Sequence, residues 1–218
     1  MKTLNLLLIE ASPRLANATS SQLGRRLAGA LQERCGSAVT LTERHLGARP
    51  LPPLSAEYAE SLLLPYDEAL ARYGAHLDLS DELVAELERA DMVVIASPVH
   101  NFTVPAALKL WIDLVVRNGV TFKITPEGKV GLLRDRPVLV AVTSGGAMFR
   151  DPPKQPDFFR PYLSAALDVI GLRSISYVPA TGLAFAEQPL AQAASEADAW
   201  IAASLQGFLQ SVPGPVRE

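Results

Sequence analysis

Apolar residues occur along this chain in short unbroken runs, separated by longer stretches in which they recur every third or fourth position. Residues 3–9, 91–96 and 137–142 are apolar nearly throughout, which predicts strands covered on both faces. Residues 39–42 alternate instead, Val39 and Leu41 against Thr40 and Thr42, the pattern of a half-exposed edge strand. A fifth strand is predicted over 175–178.

The periodic stretches predict helices between these strands. After a polar turn at 12–17, a helix opens near Thr19-Ser20-Ser21 and carries Leu23, Leu27, Ala30 and Leu31 on one face, with Arg25, Arg26 and Gln32 facing away. Residues 45–79 are the least regular part, with Pro50, Pro52 and Pro53 at the start. They read as two short helices, 55–64 and 66–76, separated by Pro65. An insertion of this length is expected to be a lid, a subunit contact or plain padding. Ser80-Asp81-Glu82 reads as the cap of a further helix with Leu83, Val84 and Leu87 inward. Pro105 opens the next helix, with Leu108, Ile112 and Val115 as its buried stripe and Gly119 as its stop. Trp111 falls between that stripe and the surface, where a dimer contact is one reading. A loop with Pro126-Glu127-Gly128-Lys129 follows. The last helices run from about 162 to 170, stopped by Gly171, and from 190 to 209, before a Pro- and Gly-rich tail at 213.

Strands alternating with helices imply an α/β fold, a doubly wound five-stranded parallel sheet with helices on both faces. Placing the alternating second strand at an edge and the apolar strands inside gives the order 2-1-3-4-5. The switch point then lies between strands one and three, where such sheets take ligands at their carboxyl ends. One domain over 1–218 is expected, with an irregular insertion at about 45–79.

Composition narrows the function classes. Nearly half the residues, 49%, are hydrophobic and 20% are charged, a globular profile. A net charge of -3 offers no basic stripe for nucleic acid. Cys35 is the single cysteine, so no internal disulfide is needed. The first apolar run is too short for a signal-peptide core, and no stretch is long enough to span a bilayer; a cytoplasmic protein without a membrane partner is expected. His45, His76 and His100 have no ligand spacing, so no metal is expected. No G-x-S-x-G elbow points to a hydrolase.

Two polar loops bound the predicted switch point, residues 12–20 and 98–102. The first lacks a G-x-G-x-x-G pattern and a Walker lysine. Hydroxyls at the opening of a helix can nevertheless hold a phosphate, because free N–H groups and the helix dipole favour an anion there. Thr19, Ser20 and Ser21 are the candidates, with Ser12 arriving from the strand end; simple N-capping by Thr19 or Ser20 is the alternative. The second loop, Pro98-Val99-His100-Asn101-Phe102, can offer backbone groups to the edge of a planar ring and Val99 or Phe102 to its face. A third loop, Ser144-Gly145-Gly146, lacks side chains that would keep a flat ligand from the backbone. Three such loops suit a flat aromatic ring with a phosphate tail.

These loops carry a resemblance. S-P-R followed by T-S-S-Q-L, the run P-V-H-N-F-T-V-P-A-A-L-K-L-W-I-D, N-G-V-T-F and T-S-G-G together resemble the FMN-dependent NAD(P)H azoreductases, also described as NADH:quinone oxidoreductases, of the flavodoxin-like superfamily. The resemblance implies bound FMN, with NADH or NADPH as electron donor. It implies a phosphate site at Ser12, Ala18, Thr19 and Ser20, and a ring site at Pro98, Val99, His100, Asn101, Phe102 and at Ser144, Gly145, Gly146, Ala147. The family often has Ser where Ala18 stands, and S-R-G-G where this chain has Ser144-Gly145-Gly146-Ala147. Electrons are expected to pass to a quinone or azo compound in a two-electron, ping-pong reaction whose chemistry the flavin carries. No side chain is then expected to be catalytic. Asn101 tunes the flavin and Phe122 walls the substrate pocket, in a homodimer as the family suggests. A flavin-binding electron carrier or regulatory module acting through a partner is the alternative reading.

Overall fold

The computed structural model describes residues 3–35 and 38–212; the Pro- and Gly-rich tail expected from 213 lies outside them. Its apolar runs become strands β1 (Leu4–Glu10), β3 (Met92–Pro98) and β6 (Val138–Thr143), with β2 (Val39–His45) and β7 (Ile175–Ala180) at the edges. β6 is buried at every position, whereas β2 alternates between half-buried and exposed over its first four residues. Because side chains alternate across a strand, each buried strand feeds two cores. Leu7, Ile9, Val93, Ile95, Val140 and Val142 join one, and Leu6, Leu8, Met92, Val94, Leu139 and Ala141 the other.

Helices α1 (Thr19–Arg34) and α6 (Pro189–Gln210) cover the second face through Leu23, Leu27, Leu31, Ala197 and Leu205. Helices α3 (Tyr66–Arg89), α4 (Ala106–Val115) and α5 (Phe159–Val169) cover the first through Leu77, Leu87, Leu108, Phe159 and Leu163. α1 lies close to the sheet at Gly24, where a Cβ would stand 2.5 Å from the Cβ of Ala96; glycine is what permits this approach.

The expected order 2-1-3-4-5 is corrected. With every strand counted, the parallel sheet runs β2-β1-β3-β6-β7. The stretch read as a loop around Pro126 is an antiparallel hairpin of β4 (Phe122–Thr125) and β5 (Gly128–Gly131), which enters the chain between β3 and β6. Its residues are mostly exposed on both faces, so no alternation of polarity marked it as strand. The switch between β1 and β3 is retained.

The insertion is also more regular than its sequence suggests. A short helix, α2 (Ala56–Ser61), is capped by Ser55, which accepts from the Tyr58 N–H at 3.1 Å. α3 then runs through the segment where two helices were expected, broken only by non-helical dihedrals at Tyr73. Ser80 is therefore no cap. It is fully buried and donates to the Leu114 carbonyl at 2.5 Å. Tyr58 donates to the carbonyls of Asp113 and Leu114, and Thr121 to that of Val115. These bonds satisfy the last-turn carbonyls of α4, which have no partner within their own helix. Trp111 is likewise corrected: at 1% exposure it is core and presents no contact surface. Among the described residues no helix is long and apolar enough to cross a membrane.

Candidate functional site

A cleft of about 470 Å³ opens at the carboxyl ends of β1, β3 and β6. Of the residues singled out in the sequence, it brings together Ser12, Ala18, Thr19, Ser20, Pro98, Val99, His100, Ser144 and Gly145. Asn101, Phe102, Gly146, Ala147 and Phe122 do not line it. A hollow of about 550 Å³ between Arg173–Ser176 and Trp200–Ser211 lies where β7 begins, away from the strand ends that converge on the cleft.

At the β1 end, the helical turn Leu15–Asn17 delivers the chain to α1 through Ala18. No side chain caps this helix, and no acid lies in its first turn. The capping alternative for Thr19 and Ser20 is thus corrected: the residue in the cap position is Ala18, which has no hydroxyl. Ala18 also has no free N–H, since it donates to Leu15 at 3.0 Å. Ser20 is 1% exposed and Ser21 is 0% exposed, and neither Oγ has a partner. Ser12 accepts the Arg14 N–H at 3.2 Å. Unpaired first-turn N–H groups, an unopposed helix dipole and a buried hydroxyl without a partner give this corner the means to hold an anion.

At the β3 end, the chain makes a two-residue turn. His100 and Thr103 exchange backbone bonds of 2.9 and 3.0 Å, and the residues between them have φ of +47° (Asn101) and +73° (Phe102). Positive φ at both central positions is the geometry of the tightest hairpin turns. Asn tolerates it; a bulky Phe does so only under strain. Phe102 is 43% exposed, so the turn carries an aromatic ring outward instead of packing it. Among the described residues, the N–H groups of Asn101 and Phe102 donate to nothing. The turn is fixed to β6 by a 2.7 Å bond from Val99 to the Thr143 carbonyl.

The β6 loop is held from its other side. Ser144 donates to Ala180, and its own carbonyl accepts from Leu183; the carbonyls of Gly145 and Gly146 accept from Ala184 and Gly182. At Gly146 the far end of an exposed side chain, the Gln155 carboxamide, lies where a Cβ would stand. Gly145 does line the cleft. Leu183, Ala184, Pro189 and Leu190 also line it and were missed in the sequence. Their one signal was position, directly after the last strand.

Phe122 is nearly buried at the base of the hairpin, with Lys129 Nζ 5.0 Å from its ring centre. The 45–79 segment does not reach the cleft except through the neighbourhood of Ser12, where Gly47 packs on the Ser12 carbonyl.

A description of the flavodoxin-like fold family matches residues 4–203. The chain is 46% identical over 195 residues to FMN-dependent NADH:quinone oxidoreductase 4 of Pseudomonas fluorescens, covering 88% of this chain and 91% of that protein. It is 42% identical over 195 residues to FMN-dependent NADH:quinone oxidoreductase 2 of Cupriavidus pinatubonensis, with coverage of 89% and 94%. In fold it is similar to an FMN-dependent NADH-azoreductase from Bacillus anthracis solved in complex with FMN. The TM-score is 0.77 at 22% identity, over 91% of this chain and 98% of that one.

Proposed function

We infer the function from one premise: this chain belongs to the flavodoxin-like FMN-dependent NADH:quinone oxidoreductases. The cleft then takes FMN. When bound, FMN supplies two-electron chemistry, accepting from NADH or NADPH and delivering to a quinone or azo compound, donor and acceptor using the site in turn. The observation that carries this reading is the Ser20 hydroxyl, buried and unpartnered where the unopposed N-terminus of α1 meets the cleft.

The chain's own residues bind and orient. Ser12, Thr19 and Ser20 hold the phosphate by hydroxyl and N–H donation, while Ala18 shapes the corner without donating. The β6 loop at Ser144 and Gly145 holds the ring edge inside the cleft, and the free N–H groups of Asn101 and Phe102 hold it where the ring extends past the mouth at His100. Val99, tied to β6, supports the ring face. Gly146 and Ala147 serve by fixing that loop. His100 is exposed at the mouth and contributes its backbone. No side chain is asked to form a covalent intermediate, since the cofactor carries the chemistry.

Two copies of the chain would pair. Leu63 and Ile124 are 86% and 66% exposed, apolar side chains that such pairing would cover. Phe122 does not line the cleft of its own chain, so its role at substrate would be played in the cleft of the second copy.

The test is the absorption spectrum of the purified protein, before and after NADH and then benzoquinone under anaerobic conditions. Bleaching of a yellow flavin band by NADH and its return with benzoquinone, without any second protein, is the expected result. A colourless protein that takes up no FMN overturns the reading. Turnover only with an added protein partner would point to an electron carrier.

A further inference from the structure

A second polar cluster lies behind the cleft, on the sheet edge. The parallel register sets Glu10 of β1 abreast of His45 of β2. Glu43, two residues earlier on β2, shares the face of His45 because side chains alternate along a strand. One ligand atom from each of Glu10, Glu43 and His45 lies within 4.8 Å of the others. The three histidines have no ligand spacing in the sequence; the carboxylates that join His45 do so through strand register alone.

This cluster is more than an ion pair. The Glu10 side chain is 5% exposed, and its Oε2 meets Arg25 at 2.9 Å and the Nδ1 of His45. Its Oε1 has no partner. A cavity of about 200 Å³ is lined by Glu10, Ser21, Arg25 and His45, and the Oγ of the fully buried Ser21 is also unpartnered. A buried carboxylate oxygen left without a donor is costly, and the Arg25 pairing does nothing for Oε1 or for Ser21. Two carboxylates stand against one obligatory cation, which leaves room for further positive charge.

We propose that Glu10, Glu43 and His45 form a binding site for a divalent transition-metal ion of the zinc type. An imidazole with two carboxylates suits such an ion better than magnesium or calcium, which favour oxygen-rich shells of six or more. Zinc bonds of about 2.0–2.2 Å require the three ligand atoms to draw closer than the present spread. The His45 and Glu43 side chains, 27% and 40% exposed, have the freedom to do so. A water fills the fourth position. Ser12 lines both this cavity and the cleft, yet the site stands on residues that the cofactor does not use.

The test is calorimetric titration of the metal-stripped full chain with zinc, with and without FMN. Saturable binding of one ion per chain is expected. Removing a direct ligand should weaken it at least as much as the loss of an outer-shell partner, about tenfold or more, in both His45→Ala and Glu43→Gln. Arg25→Ala, which removes a competing cation from Glu10, should tighten it. His76→Ala should leave it unchanged, since that ring meets Ser55 elsewhere. Cobalt(II) added to the unaltered chain should show the visible bands of a four-coordinate site, a readout that no variant's folding can confuse. No saturable binding, no cobalt bands, or zinc binding undiminished in both His45→Ala and Glu43→Gln would mean an adventitious ion only.

Discussion

Replacing Ser20 by Ala should move two measurements in opposite directions. Without FMN, the Ser20 hydroxyl is 1% exposed and has no partner; an unsatisfied buried polar group costs about 1–3 kcal/mol. Its removal should therefore raise the urea midpoint of the FMN-free chain by the equivalent of about 1 kcal/mol, with the slope unchanged. With FMN, the same hydroxyl would donate to a phosphate oxygen. A hydrogen bond to a charged group is worth about 1.5–3 kcal/mol, so the variant should bind FMN about 10- to 150-fold more weakly. Quenching of flavin fluorescence on titration into the cofactor-free protein reads the second quantity directly. A structural role for Ser20 predicts a different pairing, loss of stability together with loss of affinity. An FMN affinity within twofold of the parent would falsify the phosphate assignment, and a fall in both quantities would return Ser20 to a structural role.

Asn101→Gly keeps the positive φ of the turn accessible while removing the carboxamide. If Asn101 tunes the flavin, turnover should fall about tenfold, the worth of one hydrogen bond, at an unchanged urea midpoint. Arg136, 2% exposed with its guanidinium pKa pushed down by burial, donates to the carbonyls of Leu87, Ala90 and Arg134. Arg136→Met leaves the carbonyls of Glu88 and Ala90, where α3 ends, without their donor and should cost about 3 kcal/mol in urea denaturation; a loss below about 1 kcal/mol would show that water replaces it. Leu63→Glu combined with Ile124→Glu should convert a dimer to a monomer in sedimentation, and a parent protein that already sediments as a monomer refutes the pairing.

What could be read in the sequence was what burial writes there. β1, β3 and β6 are covered on both faces and appear as unbroken apolar runs; β2 is half covered and alternates. From those two signals alone, the switch point fell beside Ser12–Ser20 and Pro98–Phe102, and the cleft is where they meet. What stayed hidden depends on partners distant in the chain. Ser80-Asp81-Glu82 has the composition of a helix cap, and only the Leu114 carbonyl, on another helix, shows Ser80 to be an interior residue. The β4–β5 hairpin is mostly exposed on both faces and so leaves no period of two. Gly146 gives no sign of the Gln155 carboxamide that lies beside it. The turn at Asn101-Phe102 has no glycine to announce its two positive φ values.

The same limit explains why one hydroxyl decides so much. Ser20 at the opening of a helix is, in sequence, equally a cap and a ligand, because both roles need an oxygen beside free N–H groups. The two roles differ only in where that oxygen points. A cap turns back onto its own first turn, and a ligand faces away from it. In this fold Ala18 takes the cap position without capping, no acid neutralises the first turn, and Ser20 sits buried with its Oγ unspent at the edge of the cleft. A hydroxyl kept out of water and out of the helix's own bonding would be satisfied by a partner from outside the chain, and an anion is the partner that the unopposed dipole of α1 also favours.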